Sequence, residues 1–111
     1  MESMRVYVAG PYTGDEEANV QRAIAAGHAL MDAGFAPFVP HLSHFSEAQR
    51  PRHYEDWMGL DLAWLLSAHA VLRLPGASAG ADREVAQAHR SGIPVFTDIE
   101  ALARHRDGVV S

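Results

Sequence analysis

The fold turns on Ala70-Val71-Leu72-Arg73-Leu74 and the segment directly after it, Pro75-Gly76-Ala77-Ser78-Ala79-Gly80-Ala81-Asp82-Arg83-Glu84-Val85-Ala86-Gln87-Ala88-His89. The first five residues read as a short buried strand. A small, Gly-bearing turn comes next and then becomes a helix. A turn of this kind leaves backbone N–H groups free at the helix start, and the helix dipole adds partial positive charge there. Such a place attracts phosphate or another oxygen-rich ligand. Glu84 stands about one turn into the helix, so the turn reads as a ligand pocket with Glu84 as its reactive group. The plainer alternative is an exposed helix Glu paired with Arg83 or His89.

The same strand–turn–helix unit recurs on either side. Residues 4–9 read as the first strand, with β-branched Val6 and Val8 on one face and Tyr7 on the other. Gly10-Pro11-Tyr12-Thr13-Gly14-Asp15 breaks it. A helix is expected over 15–33, with acids suited to its N-terminal end and a stripe of Val20, Ile24, Ala25, Leu30 and Met31. Gly34 stops it, and Gly27 within it implies close packing against the sheet. Residues 35–39 read as a second strand, at an edge because of Pro37. Residues 40–53 read as a long irregular loop, of a length that usually lines or covers a pocket.

A helix over 54–68 carries Trp57, Leu60, Trp64, Leu65 and Leu66 in an amphipathic pattern. Asp61 lies beside that aromatic face, either as a solvated border residue or as a carboxylate held in a pocket. A third strand over 69–74, the helix over 80–91, a fourth strand over 93–97 and a last helix capped by Asp98 complete the order. Residues 107–111 are expected to fray.

Four alternations of strand and helix imply a parallel sheet with helices on both faces. The expectation is a three-layer α/β sandwich of Rossmann or flavodoxin-like kind, with four parallel strands in the order 2-1-3-4. Ligands bind such sheets beyond the carboxyl ends of the strands, where the order reverses. That point lies between strands one and three. It gathers the loop of Gly10, Tyr12 and Thr13, the turn of Ser78 and Gly80, and Asp61.

With 111 residues and 48% hydrophobic content, the chain is read as one domain over 1–111. A net charge of −5 argues against nucleic-acid binding, which needs a basic face. No apolar run approaches the ~18 residues of a membrane span and no signal peptide is evident, so a cytoplasmic protein with no membrane partner is expected. Cysteine is absent, which removes disulfides and thiolate metal sites. His41, His44 and His53 match no zinc spacing, and neither a metal nor a cofactor is expected.

There is no lysine in the chain, hence no P-loop, and no Gly-x-Gly-x-x-Gly occurs after the first strand. Ser78 lacks a nucleophile-elbow frame, although composition leaves a Ser-His-Asp triad open. Paired carboxylates with little else suggest glycosyl chemistry, in which one acid attacks the anomeric carbon and the other acts on the leaving group or a sugar hydroxyl.

Three segments in order, Val6-Tyr7-Val8-Ala9-Gly10, Asp61-Leu62-Ala63-Trp64-Leu65 and Ser78-x-Gly80-x-x-x-Glu84, resemble the nucleoside 2-deoxyribosyltransferase family. That family includes the 2′-deoxynucleoside 5′-phosphate N-hydrolases, and the chain looks most like a compact branch found in bacteria and phages. The resemblance implies a transferase or hydrolase that cleaves the base from a (deoxy)nucleoside or nucleotide through a covalent glycosyl-Glu intermediate. It gives Glu84 as nucleophile, Asp61 as the acid that orients the sugar hydroxyls, and Tyr7 as a strand tyrosine beside the nucleophile. Ser78 and Gly80 correspond to the phosphate-holding turn. Gly10, Tyr12 and Thr13 are the candidate contacts from the first loop, which lacks the Arg of the hydrolases. Asp82 is a candidate for base recognition by position alone. The resemblance also implies a homodimer or higher homo-oligomer. A non-catalytic nucleotide sensor and a glycohydrolase of NAD-like nucleotides are the other readings compatible with this pocket.

Overall fold

Strand β1, Arg5–Ala9, forms the middle of the sheet because four of its five residues have both faces covered. Val6 and Val8 point to one side and Tyr7 and Ala9 to the other, the two-residue period of a strand. The computed structural model describes residues 3–108. In it β1 pairs in parallel with β2, Ala36–Phe38, and with β3, Ala70–Arg73. β3 pairs in parallel with β4, Val95–Phe96. The order is β2-β1-β3-β4, which is the flavodoxin-like arrangement expected.

Helix α1, Glu16–Asp32, starts on the side chain of Asp15, which accepts from the Ala18 amide at 3.2 Å. It packs on the Val6/Val8 face with Ala23 and Leu30, joined there by Leu102 of α5, Ile99–Arg106. Leu30 and Leu102 are fully buried, each contributing roughly 1.5–3 kcal/mol. The buried positions of α1 are Asn19, Val20, Ala23, Gly27 and Leu30. Ala25 and Met31 of the expected stripe are therefore corrected to exposed positions. Small residues set the contact instead: a Cβ on Gly27 would stand 2.9 Å from Cγ2 of Val39.

The opposite face is covered by α3, Tyr54–Leu65, and α4, Ala79–Arg90. Leu65, Ala81 and Ala88 pack there on Tyr7, Ala9 and Val71. The amphipathic pattern expected of α3 is also corrected. Its buried residues are Met58 and Leu65, while Leu60, Trp64 and Leu66 are exposed. Residues 40–53 are not an irregular loop either. They hold a 3-10 turn, Pro40–Leu42, and a short helix α2, Ser43–Gln49, none of whose residues is buried. His69 precedes β3 rather than opening it, and its Nδ1 accepts the Arg5 amide at 2.9 Å. The last three residues of the tail that was expected to fray lie outside the described residues.

The connections after β1 and β3 leave the sheet on opposite faces, β1 to α1 and β3 to α4. Their carboxyl ends therefore diverge and open a crevice. Two contacts hold its edges together. A Cβ on Gly10 would stand 2.9 Å from the Leu74 Cβ, and one on Gly76, whose φ is +112°, would stand 2.9 Å from Cγ of Pro11. The loops after β1 and β3 thus lie against each other with no room for side chains at those two positions.

Candidate active site

A cleft of about 990 Å³ occupies the crevice. Of the residues singled out in the sequence, Gly10, Tyr12, Thr13, Asp61, Ser78, Gly80 and Glu84 line it. Tyr7 lies beneath, with no exposed surface. Its hydroxyl donates to Oε2 of Glu84 across 77 residues of chain. The pairing of β1 with β3 sets the depth of Tyr7, and the small turn before α4 lets the first turn of that helix approach it. Glu84 is only 5% exposed, so the reading of a solvent-facing Glu paired with Arg83 or His89 does not hold. Arg83 instead pairs with Glu55 at 2.9 Å.

Burial governs the electrostatics of this cluster. It raises Glu84 from 4.5 to about 7; the Tyr7 hydrogen bond and Arg73 pull down, and the Asp61 charge pushes up. Burial alone raises Asp61 from 3.8 to about 7. Tyr7 is pushed far above its ordinary value, first by burial and then by the charges of Glu84 and Asp61, so it serves as a hydrogen-bond donor. Two carboxyls near neutrality with a neutral phenol beneath them are groups of the kind that nucleophilic and acid–base chemistry uses at physiological pH.

The turn before α4 is built from its own residues. Ser78 caps the helix, its Oγ accepting from the Ala81 amide at 3.0 Å. The amides of Ala79 and Gly80, at the helix start, have no intrahelical acceptor, and both residues line the cleft. Arg73 braces the turn by donating to the carbonyls of Leu74 and, at 2.9 Å, Gly76. It also meets Asp82 at 3.3 Å. Asp82 is exposed and does not line the cleft, which removes it as a base-recognition acid.

The opposite wall comes from residues that the sequence pattern did not assign to the site. Glu47 of α2 accepts from the Trp57 indole at 2.6 Å and from the Arg52 amide at 2.9 Å. Glu47, Arg52, Tyr54, Trp57 and Met58 all line the cleft. Arg52 brings a guanidinium to a wall whose first loop has none. Pocket lining by residues 40–53 is thus observed, in helical rather than irregular form.

The three histidines of interest go to different partners. His41 is buried, with Nε2 at 3.2 Å from the carbonyls of both Gly10 and Pro11. Burial lowers its pKa against those two carbonyls. His44 Nδ1 shares a hydrogen bond with the Tyr12 hydroxyl at 2.7 Å, and His53 stands exposed before α3. Among the described residues no group of three His, Cys, Asp or Glu side chains is placed to hold a metal ion.

A family model covering residues 4–98 matches the sequence. The chain belongs to DUF7768, a domain of unknown function. No curated protein matches the sequence. Among solved structures the chain is similar to a 2-deoxyribosyltransferase from the psychrotolerant bacterium Bacillus psychrosaccharolyticus. The TM-score is 0.59 and the identity 23%, over 82% of this chain and 69% of that one. That likeness establishes a shared fold for this member of the DUF7768 family. Among the described residues, no helix is long and apolar enough to cross a membrane.

Proposed function

We propose that this chain is a single-domain enzyme of N-glycosidic bonds, acting on a (deoxy)nucleoside or nucleotide. Glu84 attacks the anomeric carbon as the bond to the base breaks, and the base departs with the bonding electron pair and is protonated. A glycosyl ester on Glu84 results. Water or a second base then attacks the same carbon and releases the carboxylate. Asp61 orients the sugar through its hydroxyls. Tyr7 donates to Glu84 and holds its reactive oxygen in place. Gly10, Tyr12, Thr13, Ser78 and Gly80 contact the rest of the substrate, with the α4 amides and Arg52 available to an anionic group. The enzyme is read as cytoplasmic and as a homodimer or higher homo-oligomer.

The observation that carries this reading is the buried hydrogen bond from Tyr7 to Glu84 at the floor of the cleft, with Asp61 in the same cleft. The volume of the cleft, about 990 Å³, is ample for a nucleotide.

The test is base release from a panel of deoxynucleosides and their 5′-phosphates by wild type and Glu84→Ala, with intact-mass analysis after incubation with a 2-fluoro-2-deoxyarabinosyl nucleoside. Turnover lost in the variant, and a covalent adduct formed only by wild type, are expected. Full activity in Glu84→Ala, or nucleotide binding without base release by wild type, overturns the reading; the second outcome is that of a sensor.

A further inference from the structure

Glu47 brings to the cleft a carboxylate that is held in one orientation. It belongs to α2, and its Oε1 accepts both from the Trp57 indole of α3 at 2.6 Å and from the Arg52 amide at 2.9 Å. Two donors on one oxygen fix the side chain and fill that oxygen's acceptor capacity. Oε2 has no partner among the described residues. The Arg52 amide and the Trp57 indole also hold the carboxyl below its ordinary range, so the group is ionised and can only accept.

The fold does not call for that second oxygen. Joining α2 to α3 takes one acceptor, which a glutamine would supply equally well. The negative charge and Oε2 serve no contact among the described residues, yet Glu47 lines the cleft. A carboxylate held in this way accepts from N–H donors and repels carbonyl oxygens.

Its surroundings suit a flat ring with polar edges. Trp57 and Tyr12 line the same cleft, and aromatic faces take up planar ligands. The charge of Glu47 is felt at Tyr12, whereas the charges felt at Glu84 are those of Asp61 and Arg73. Glu47 therefore stands at the Tyr12 end of the cleft, away from Glu84. A nucleoside with its anomeric carbon at Glu84 turns the remote edge of its base toward that end.

Building on the N-glycosidic reading above, we infer that Glu47 selects the base, its Oε2 accepting from an exocyclic amino group on the edge remote from the sugar. Adenine and cytosine carry an amino group there. Hypoxanthine and uracil carry a carbonyl at the same places, which turns lone pairs toward the carboxylate. A site whose polar group is left unpaired by the wrong ligand discriminates more sharply than an apolar pocket does. The substrate class is thereby narrowed to amino-bearing (deoxy)nucleosides or nucleotides.

The test compares matched pairs by isothermal titration calorimetry: deoxyadenosine with deoxyinosine and deoxycytidine with deoxyuridine, as nucleosides and as 5′-phosphates. The Glu84→Ala chain is used so that no ligand is consumed. In each pair that binds, the amino member is expected to be tighter by about tenfold or more. Glu47→Gln, added to that chain, is expected to reverse the order. The Trp57 and Arg52 donors keep the amide oxygen at the Oε1 place, so the amide NH2 takes the place of Oε2 and favours a carbonyl. A purely structural Glu47 would leave the order unchanged. Equal or carbonyl-favouring affinities before that change, an amino preference that survives it in a chain with unaltered circular dichroism, or no affinity for any member overturns the selection by Glu47. Base release by wild type reports on catalysis separately. Release that ignores the amino group sinks the selection and leaves the N-glycosidic reading standing, while amino-selective binding without release does the reverse.

Discussion

Replacing Glu84 by Gln removes one titrating carboxyl from the floor of the cleft and keeps an oxygen for the Tyr7 hydroxyl. The consequence is a change in how stability depends on pH. Glu84 titrates at about 7 in the folded chain against 4.5 when unperturbed. The native state therefore holds this proton more tightly than the unfolded state does. Its contribution to stability is fully present below the unfolded value and is lost as pH rises through the folded one. The whole shift corresponds to roughly 3 kcal/mol, of which about 2 kcal/mol falls between pH 5.5 and pH 8.

Wild type and Glu84→Gln are to be unfolded with urea at intervals across that range and their free energies subtracted. The difference cancels the histidines and the exposed acids common to both chains. The variant is expected to gain on wild type by about 2 kcal/mol from pH 5.5 to pH 8, near 10 °C in melting temperature for a domain of this size. A difference that stays flat, or one that moves toward wild type as pH rises, refutes the claim that burial dominates at Glu84.

The same geometry sets three other outcomes. Base release is expected to climb with pH up to about 7 and level off above, because the attacking carboxylate must be ionised; a pH–rate series on kcat/KM reads this. The acid limb of that profile should move in opposite directions in two variants. It should rise in Tyr7→Phe, which loses the donor that favours the charged carboxylate, and fall in Asp61→Asn, which loses the neighbouring charge that opposes it. Equal profiles in the two would mean that neither group acts on Glu84. Gly76→Ala forces a side chain into φ of +112° and against the Pro11 ring; a loss of about 2 kcal/mol or more is expected by urea unfolding, where an exposed Gly→Ala change elsewhere would be near neutral.

The sheet and its order were legible because small turn residues punctuate every strand end, and parallel crossovers leave few arrangements. The Tyr7–Glu84 meeting was legible by the same route: once strands one and three are neighbours, their loops converge. Other features were hidden for physical reasons. α2 buries no residue, so it has no apolar stripe and its period leaves no trace in hydrophobicity. α1 packs through Ala23 and Gly27, whose fit depends on size rather than on apolar character. Leu60 and Trp64 have the spacing of core residues, and only the structure tells that they face outward. The hold of Glu47 on the Trp57 indole spans ten residues between two elements, which no local pattern encodes.

The central position of β1 has a kinetic side. The first strand finds its partner β3 only across a separation of 64 residues, Val6 with Ala70, and the Tyr7–Glu84 bond waits for a further turn of chain. Closing such loops costs entropy before any contact repays it. During synthesis β1 must therefore remain unpaired on one side until β3 has emerged. The cleft is lined by the loops after β1 and β3, so it takes shape only once those two strands have paired, and a ligand bound there reports on that pairing.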